Sequence, residues 1–280
     1  MGVYAVTGAA SGMGKASAER LRTAGHTVIG IDLKEGDVVA DLSTSAGRSD
    51  AVRQTLERAG GRLDGAVLAA GLGPVPGMEQ TIAEVNVRGV IELLEGWRPA
   101  LAAAGNSKVV VFGSNSTTAT PAVPMSAVAA FLAGNIGKGV KRAGRIRQAA
   151  APFTYAASKI AVTRWARRNA VTPEWAGAGI RLNVLAPGAV ATPLLDTQLE
   201  SREGKRVRDF PVPIGGFGDP GQIAEWVEFM LSPAADFLVG SVVVVDGGSE
   251  AWFRADDWPR PVPVWKVLRY VRRMRSFGRT

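Results

Sequence analysis

The sequence predicts an α/β protein built on a doubly wound, seven-stranded parallel sheet between two helical layers. Three observations predict it. Strand-like and helical stretches alternate along the chain. A glycine-rich turn joins the first strand to the first helix. And 280 residues with 46% hydrophobic content, 34 Gly and 16 Pro suit one large glycine-turned domain. In order, residues 3–7 are a short apolar run ending on glycines, and 13–24 have helical spacing. Residues 27–32 read as a second strand and 36–41 as a short third, before a helix over 45–58. A buried strand at 64–70 precedes a helix over 80–104. Residues 108–113 are rich in β-branched side chains, the composition of a strand covered on both faces. A long helix begins near Tyr155 and ends before a strand at 180–186. A helix at 223–230 and a strand at 241–246, with four consecutive valines, complete the alternation.

Composition removes several chemistries. Cys is absent, which excludes disulfides, thiolate nucleophiles and Cys-zinc sites. A single His, His26, argues against a His-based metal site or a Ser-His-Asp triad, and reads as a surface or capping residue ending the first helix. No metal is expected. Of the net charge of +8, seven positive charges follow position 258 (Arg260, Lys266, Arg269, Arg272, Arg273, Arg275, Arg279) with no acid among them. Five more (Lys138, Lys141, Arg142, Arg145, Arg147) lie between Asn115 and Thr154, again without an acid, which leaves the remainder at −4. A basic balance confined to two segments argues against a nucleic-acid-binding fold. No stretch reads as a bilayer span and no charged segment followed by an apolar run opens the sequence, so a reducing, cytoplasmic location is the expectation.

The turn at residues 7–14, Thr-Gly-Ala-Ala-Ser-Gly-Met-Gly, points to a dinucleotide phosphate cradle and a Rossmann-type fold. Gly8 permits the tight turn, Gly12 lets backbone approach a pyrophosphate, and Gly14 lets the helix pack on the strand. Ser11 and Met13 supply N–H groups at the helix N-terminus, which favours the anion. Asp32, with Leu33 beside it, ends the second strand where a carboxylate accepts hydrogen bonds from the adenosine ribose and repels a 2′-phosphate, so NAD is expected over NADP. Lys15 and Lys34 read as solvated charges. Asp41 and Leu42 could hold the adenine edge, although Asp41 could equally cap the following turn.

Tyr155 and Lys159 are four apart at the start of the predicted helix and share a face. A free phenol titrates near pH ~10, so service as a base near neutrality asks for about 4 kcal/mol of phenolate stabilisation. One ammonium at ~4 Å is worth that order at an effective dielectric of about 20, and Lys159 with the cationic oxidised nicotinamide could together supply the shift.

With these elements in place the chain resembles the short-chain dehydrogenase/reductase family over about residues 3–257. The resemblance rests on the 7–14 loop, Asp32, Asp41, Asn86 in Val-Asn-Val-Arg-Gly, Ser114 in Val-Val-Phe-Gly-Ser, Tyr155/Lys159, Pro187-Gly188 and Val-Asp-Gly-Gly at 245–248. It implies an NAD-dependent oxidoreductase with Tyr155 as general acid/base and Ser114 hydrogen-bonding the substrate oxygen. Lys159 binds the nicotinamide ribose and lowers the Tyr155 pKa, and Asn86 orders a water in the proton relay. Ala70 and Gly71 line the cofactor, while Pro187, Gly188, Val190 and Thr192 flank or hold the carboxamide. Ala69 stands where the family has Asn, which suggests a lost strand-stabilising hydrogen bond. Ser114 precedes Tyr155 by 41 positions, longer by an insertion than in most members. With 71–74 and 186–195, that loop resembles the bacterial hydroxysteroid dehydrogenases and carbonyl reductases. This implies a secondary alcohol or ketone on an apolar cyclic substrate, such as a steroid 3α-hydroxyl or a xenobiotic carbonyl. An acyl-carrier-protein β-ketone reductase and a non-catalytic NAD-binding redox sensor are the alternatives.

The expected division is a catalytic domain over 1–258, with 115–153 as a substrate-side lid, and a basic extension over 259–280. In the insertion, 127–133 is helical and apolar, 134–139 is loose, and 140–151 alternates arginines with small residues. An insertion there should obstruct the usual tetramer contact, so a homodimer built elsewhere is expected, with a homotetramer the alternative. In the extension, Val264, Val267, Leu268, Val271 and Met274 share a helical face, with the basic residues largely on others. Three readings stay open: a helix docked on its own or a partner subunit, a basic amphipathic segment over 264–275 on an anionic membrane, or a solvated tail. Trp165, Trp175, Trp252 and Trp258 read as packing residues.

Overall fold

A computed structural model describes residues 1–200 and 204–277; the last three residues of the basic extension, Arg279 included, lie outside the described residues. Seven runs of small and β-branched residues form one parallel sheet: β1 Val3–Thr7, β2 Thr27–Asp32, β3 Val38–Val39, β4 Gly65–Leu68, β5 Ser107–Phe112, β6 Ile180–Pro187 and β7 Val242–Val245. Their spatial order is β3-β2-β1-β4-β5-β6-β7. The order reverses between β1 and β4, the point where open α/β sheets bind ligands beyond their carboxyl ends.

Alternation along each strand feeds two cores. Val109 and Val111 of β5 face one side with Ile29, Ile31, Leu182 and Val184, beneath helices α2 (Ser45–Arg58), α4 (Gly89–Ala103) and α8 (Ala150–Asn169). Val110 and Phe112 face the other with Val6, Val28 and Leu185, beneath α1 (Gly12–Thr23) and α11 (Pro220–Leu231). The remaining helices are α3 Glu79–Ala83, α5 Ser116–Ala119, α6 Met125–Leu132, α7 Ile136–Ala143, α9 Pro193–Glu200, α10 Gly204–Arg208, α12 Ser249–Arg254 and α13 Val267–Ser276. Among the described residues no helix is long and apolar enough to cross a membrane.

Three expectations are corrected. The helix expected over 80–104 is broken: a π-helical turn, Glu84–Arg88, separates α3 from α4. An extra residue per turn re-aims the chain, so that α3 lies on α8 whereas α4 lies on α2 and β5. The catalytic-pair helix starts at Ala150, so Tyr155 sits in its second turn rather than at its start.

The insertion is the third. Residues 134–139, expected to be loose, open α7 instead: the Asn135 side chain accepts the Lys138 N–H at 3.0 Å and caps it. Two glycines in one short helix are unfavourable by propensity. One of them has a packing reason, because the Phe131 ring of α6 lies where a Gly139 Cβ would stand. Ala127, Val128, Phe131, Ile136 and Ala143 are buried with the main core. The pair packs on α8, with α7 also on α3, and Arg88 of the π turn donates to the Gly134 carbonyl at 2.9 Å. Residues 125–143 are therefore a core-packed hairpin on the flank of α8. Trp165 and Trp175 stack edge to face, but Trp252 and Trp258 are exposed, contrary to a packing role.

Candidate active site

The carboxyl ends of β1, β2, β4, β5 and β6 carry the residues singled out from the sequence. At β1, Gly8 and Gly12 take φ of +70° and +53°, open to glycine at little cost. Gly14 is required by contact, since a Cβ there would strike the Gly8 carbonyl. Ser11 makes no side-chain cap on α1, and the first turn of α1 carries no acid, so its leading N–H groups are left for an anion. Asp32 braces this loop: its Oδ2 accepts the Ala10 N–H at 3.1 Å and its Oδ1 the Leu33 N–H at 2.7 Å. Thr7 spans the switch point, its Oγ1 accepting the Ala70 N–H at 3.0 Å. That bond joins β1 to the end of β4 one residue past Ala69, where the missing Asn had suggested a loss. From β6, the Thr192 methyl lies 3.2 Å from a Cβ position on Gly12, closing the loop over the cradle.

Two cofactor candidates also serve the local structure. The Asp41 carboxylate caps its own turn, accepting the Ser43 N–H at 2.9 Å. The Leu42 side chain is in the core, and its carbonyl accepts from the buried Arg48 at 3.0 Å. Lys15 and Lys34 are exposed. His26 accepts the Gly2 N–H at 3.1 Å and packs edge-on against Tyr4, a structural rather than a chemical post.

At the catalytic end, the Tyr155 phenol has the Ser114 hydroxyl as a neighbour close enough to act on its pKa. The residue is half-buried. Burial pushes the phenol up, and the nearby Ser114 hydroxyl pulls it down. In the protein alone the phenol is thus raised. Lys159, one turn on and buried, donates from Nζ to the Phe112 carbonyl at 2.9 Å. Burial holds its ammonium at about 8. An ammonium carries three protons, and among the described residues only this one bond uses them, which fits ribose hydroxyls as further partners. Asn86, fully buried in the π turn, clamps a backbone: Oδ1 accepts the Leu72 N–H and Nδ2 donates to the Leu72 carbonyl, both at 2.9 Å. A Cβ at Gly71 would lie 3.1 Å from Asn86 Oδ1 and 3.4 Å from Lys159 Nζ, so the missing side chain keeps space between the two.

Two residues outside the sequence candidates enter here. Asp246 ties the ends of β5 and β7 to the start of α12, accepting from Asn115 Nδ2 at 3.3 Å, the Gly248 N–H at 3.0 Å and the Glu250 N–H at 2.8 Å. Ser116, two residues past Ser114, has a buried Oγ with no protein partner. A groove of about 370 Å³ between α4, α6 and α8 includes Ile91, Phe131 and Trp165 but none of the residues above.

Comparison with known proteins agrees with this arrangement. A family profile described as "Enoyl-(Acyl carrier protein) reductase" matches residues 139–250. The chain is 35% identical to a 3-alpha-hydroxysteroid dehydrogenase/carbonyl reductase of Comamonas testosteroni, covering 91% of this chain and 98% of that one. It is 30% identical to a cis-4-hydroxycyclohexanecarboxylate dehydrogenase of Sinomonas cyclohexanicum, over 89% and 96% of the two chains. Among solved structures it superposes on the 3-alpha-hydroxysteroid dehydrogenase from Pseudomonas sp. B-0831 complexed with NADH. That match has a TM-score of 0.85 and 44% identity, and covers 91% of this chain and 99% of that one. Sheet order, glycine cradle, Tyr155/Lys159 spacing and near full-length similarity converge: the chain is an oxidoreductase of the short-chain dehydrogenase/reductase family.

Proposed function

We propose that the protein interconverts a secondary alcohol and a ketone on an apolar cyclic substrate, with NAD as cofactor and a steroid 3α-hydroxyl or a xenobiotic carbonyl as the substrate class. The observation that carries the reading is the Tyr155 phenol beside Ser114, with Lys159 one turn away on the same helix and its Nζ next to Gly71 at the switch point of the sheet. The relatives named above share a hydroxyl or ketone on a ring, which supports the substrate class. When bound, NAD exchanges a hydride with the substrate carbinol carbon.

The other roles belong to the chain. Gly8, Gly12 and Gly14, with the N–H groups of Ser11 and Met13, hold the pyrophosphate, and Asp32 beside Leu33 takes the adenosine ribose. Ala70, Gly71, Pro187, Gly188, Val190 and Thr192 line the nicotinamide half. In reduction Tyr155 and Ser114 both donate to the ketone oxygen, and the Tyr155 proton is transferred; in oxidation the phenolate takes it back. Lys159 binds the ribose and its charge opposes the upward pull of burial on Tyr155. Asn86 fixes the Leu72 backbone, and the space beside Gly71 is where a relay water can bridge to Lys159. The expected setting is the cytoplasm. The expected assembly is a homodimer, because the α6–α7 hairpin covers the outer side of α8. Edge strand β7 meanwhile leaves Val244 exposed, as α11 leaves Trp226 and Phe229.

Tyr155→Phe tests the reading. Turnover of 3α-hydroxysteroids and cyclic ketones should fall about 10²–10⁴-fold, while NADH binding, followed by fluorescence titration, stays as in the wild type. Retained turnover would refute the assignment. Running acyl thioesters in parallel checks the carrier-protein alternative, which the basic face of α7 favours.

A further inference from the structure

We propose that the C-terminal helix α13 lies on the surface of an anionic phospholipid bilayer and holds the enzyme there. No residue of α13 is buried. Leu268 is 85% and Met274 65% exposed, and among the described residues no element packs closely on the helix apart from the short turn Val264–Lys266 that leads into it. An unsupported helix of this length is marginal in water, so something outside the chain must cover its apolar side.

The pattern of α13 says what that is. At 3.6 residues per turn, Val267, Leu268, Tyr270, Val271 and Met274 sweep an arc of about 160°. Arg269, Arg272 and Arg273 occupy the opposite side with Lys266, and Arg275 stands at the edge of the apolar arc, where a long side chain can reach outward to headgroups. Trp265 and Phe277, both exposed, flank the two ends. A helix docked on protein needs only a soluble outer face, which mixed charges provide. Exposed α2 is built that way, with Arg53 paired to Asp50 at 3.1 Å and to Glu57 at 3.0 Å. The segment after position 258 has seven basic residues and no acid, and among the described residues no arginine of α13 pairs with a carboxylate. An all-positive polar face opposite a broad apolar one is complementary to anionic headgroups over acyl chains.

Length and tether agree. Ten residues of helix reach about 15 Å, half a bilayer core, so α13 lies in the interface and does not span. Pro259, Pro261 and Pro263 make the connection to the body an extended spacer of about 3 Å per residue, leaving the helix free to lie flat.

Vesicle sedimentation with the full chain tests the proposal without any substrate, so its outcome is separate from that of the proposed reaction. Wild-type protein should co-sediment with phosphatidylcholine vesicles containing phosphatidylglycerol, weakly or not at all with phosphatidylcholine alone, and less as salt rises. Arg269→Gln/Arg273→Gln should weaken binding roughly 30-fold, and Leu268→Gln/Met274→Gln should remove it. All four side chains lie outside the core, and unchanged turnover of a water-soluble ketone would show each variant folded. Absent co-sedimentation would overturn the proposal, as would equal binding to neutral vesicles. So would a fall in solution mass of the Leu268/Met274 variant by light scattering, which would assign the helix to a second copy of the chain.

Discussion

The insertion between β5 and α8 and the extension after Trp258 look alike in sequence: both are basic without acids, and both carry apolar residues at helical spacing. The structure treats them in opposite ways. In the insertion, Phe131 is 1% and Ile136 3% exposed, and both join the core beneath α8. In the extension every apolar side chain of α13 stays at least partly open. Charge does not decide the placement, since arginines in both segments face water. What decides it is whether a matching apolar surface stands within reach, and α8 with α3 offers one only to the insertion.

The largest expected effect comes from breaking the insertion's side of that contrast. Phe131→Ala removes a fully buried ring between α6 and Gly139, and should lower unfolding free energy by about 3–5 kcal/mol in denaturant titrations. A loss below ~1 kcal/mol would mean the hairpin is a loose cover after all.

Lys159 sharpens the contrast from within, because it is a cation on the buried side. Its folded value of about 8 lies below its ordinary 10.5, so the folded state resists protonation that the unfolded chain accepts. That penalty is full below pH 8, shrinks as pH rises, and is gone above 10.5. It amounts to about 3 kcal/mol, against roughly 1 kcal/mol for the bond to Phe112. Lys159→Met should therefore be inactive yet more stable by about 2 kcal/mol at pH 7, the gain disappearing in thermal melts at strongly alkaline pH. Lower stability of the variant at neutral pH would show that the ammonium is held by more than its bond to Phe112.

The smallest effect should follow removal of residues 259–280. Stability should change by less than about 0.5 kcal/mol, since the segment touches no core, and turnover of a soluble ketone should persist. A larger drop in melting temperature would mean that the extension packs on the body in solution.

The same contrast explains what was legible beforehand. Sheet strands and the glycine cradle could be read because their signals are local: β-branched runs, a turn needing positive φ at Gly8 and Gly12, an acid closing β2. Helix α2 could be read to the residue, its start capped by Thr44. Less local features were hidden. Gly137 and Gly139 look like a break, and only the Phe131 ring, eight positions earlier than Gly139, explains a helix there. Asp41 and Leu42 match a family position, and the sequence does not show that their atoms also serve a turn and the core. Nothing in the sequence marks Ser116, whose hydroxyl stands out only through burial without a partner.

The wide turn at Glu84–Arg88 has a consequence for how the gene can vary. Upstream of it α3 keeps register with α8, and downstream α4 keeps register with α2 and β5. Deleting one codon within it would restore an ordinary helix and swing one half by about 100° against the other. Either the Leu72 backbone would lose the Asn86 clamp or Leu93, Leu94 and Trp97 would leave the core. Point substitutions around Asn86 are matters of degree, but the number of residues in that turn is fixed.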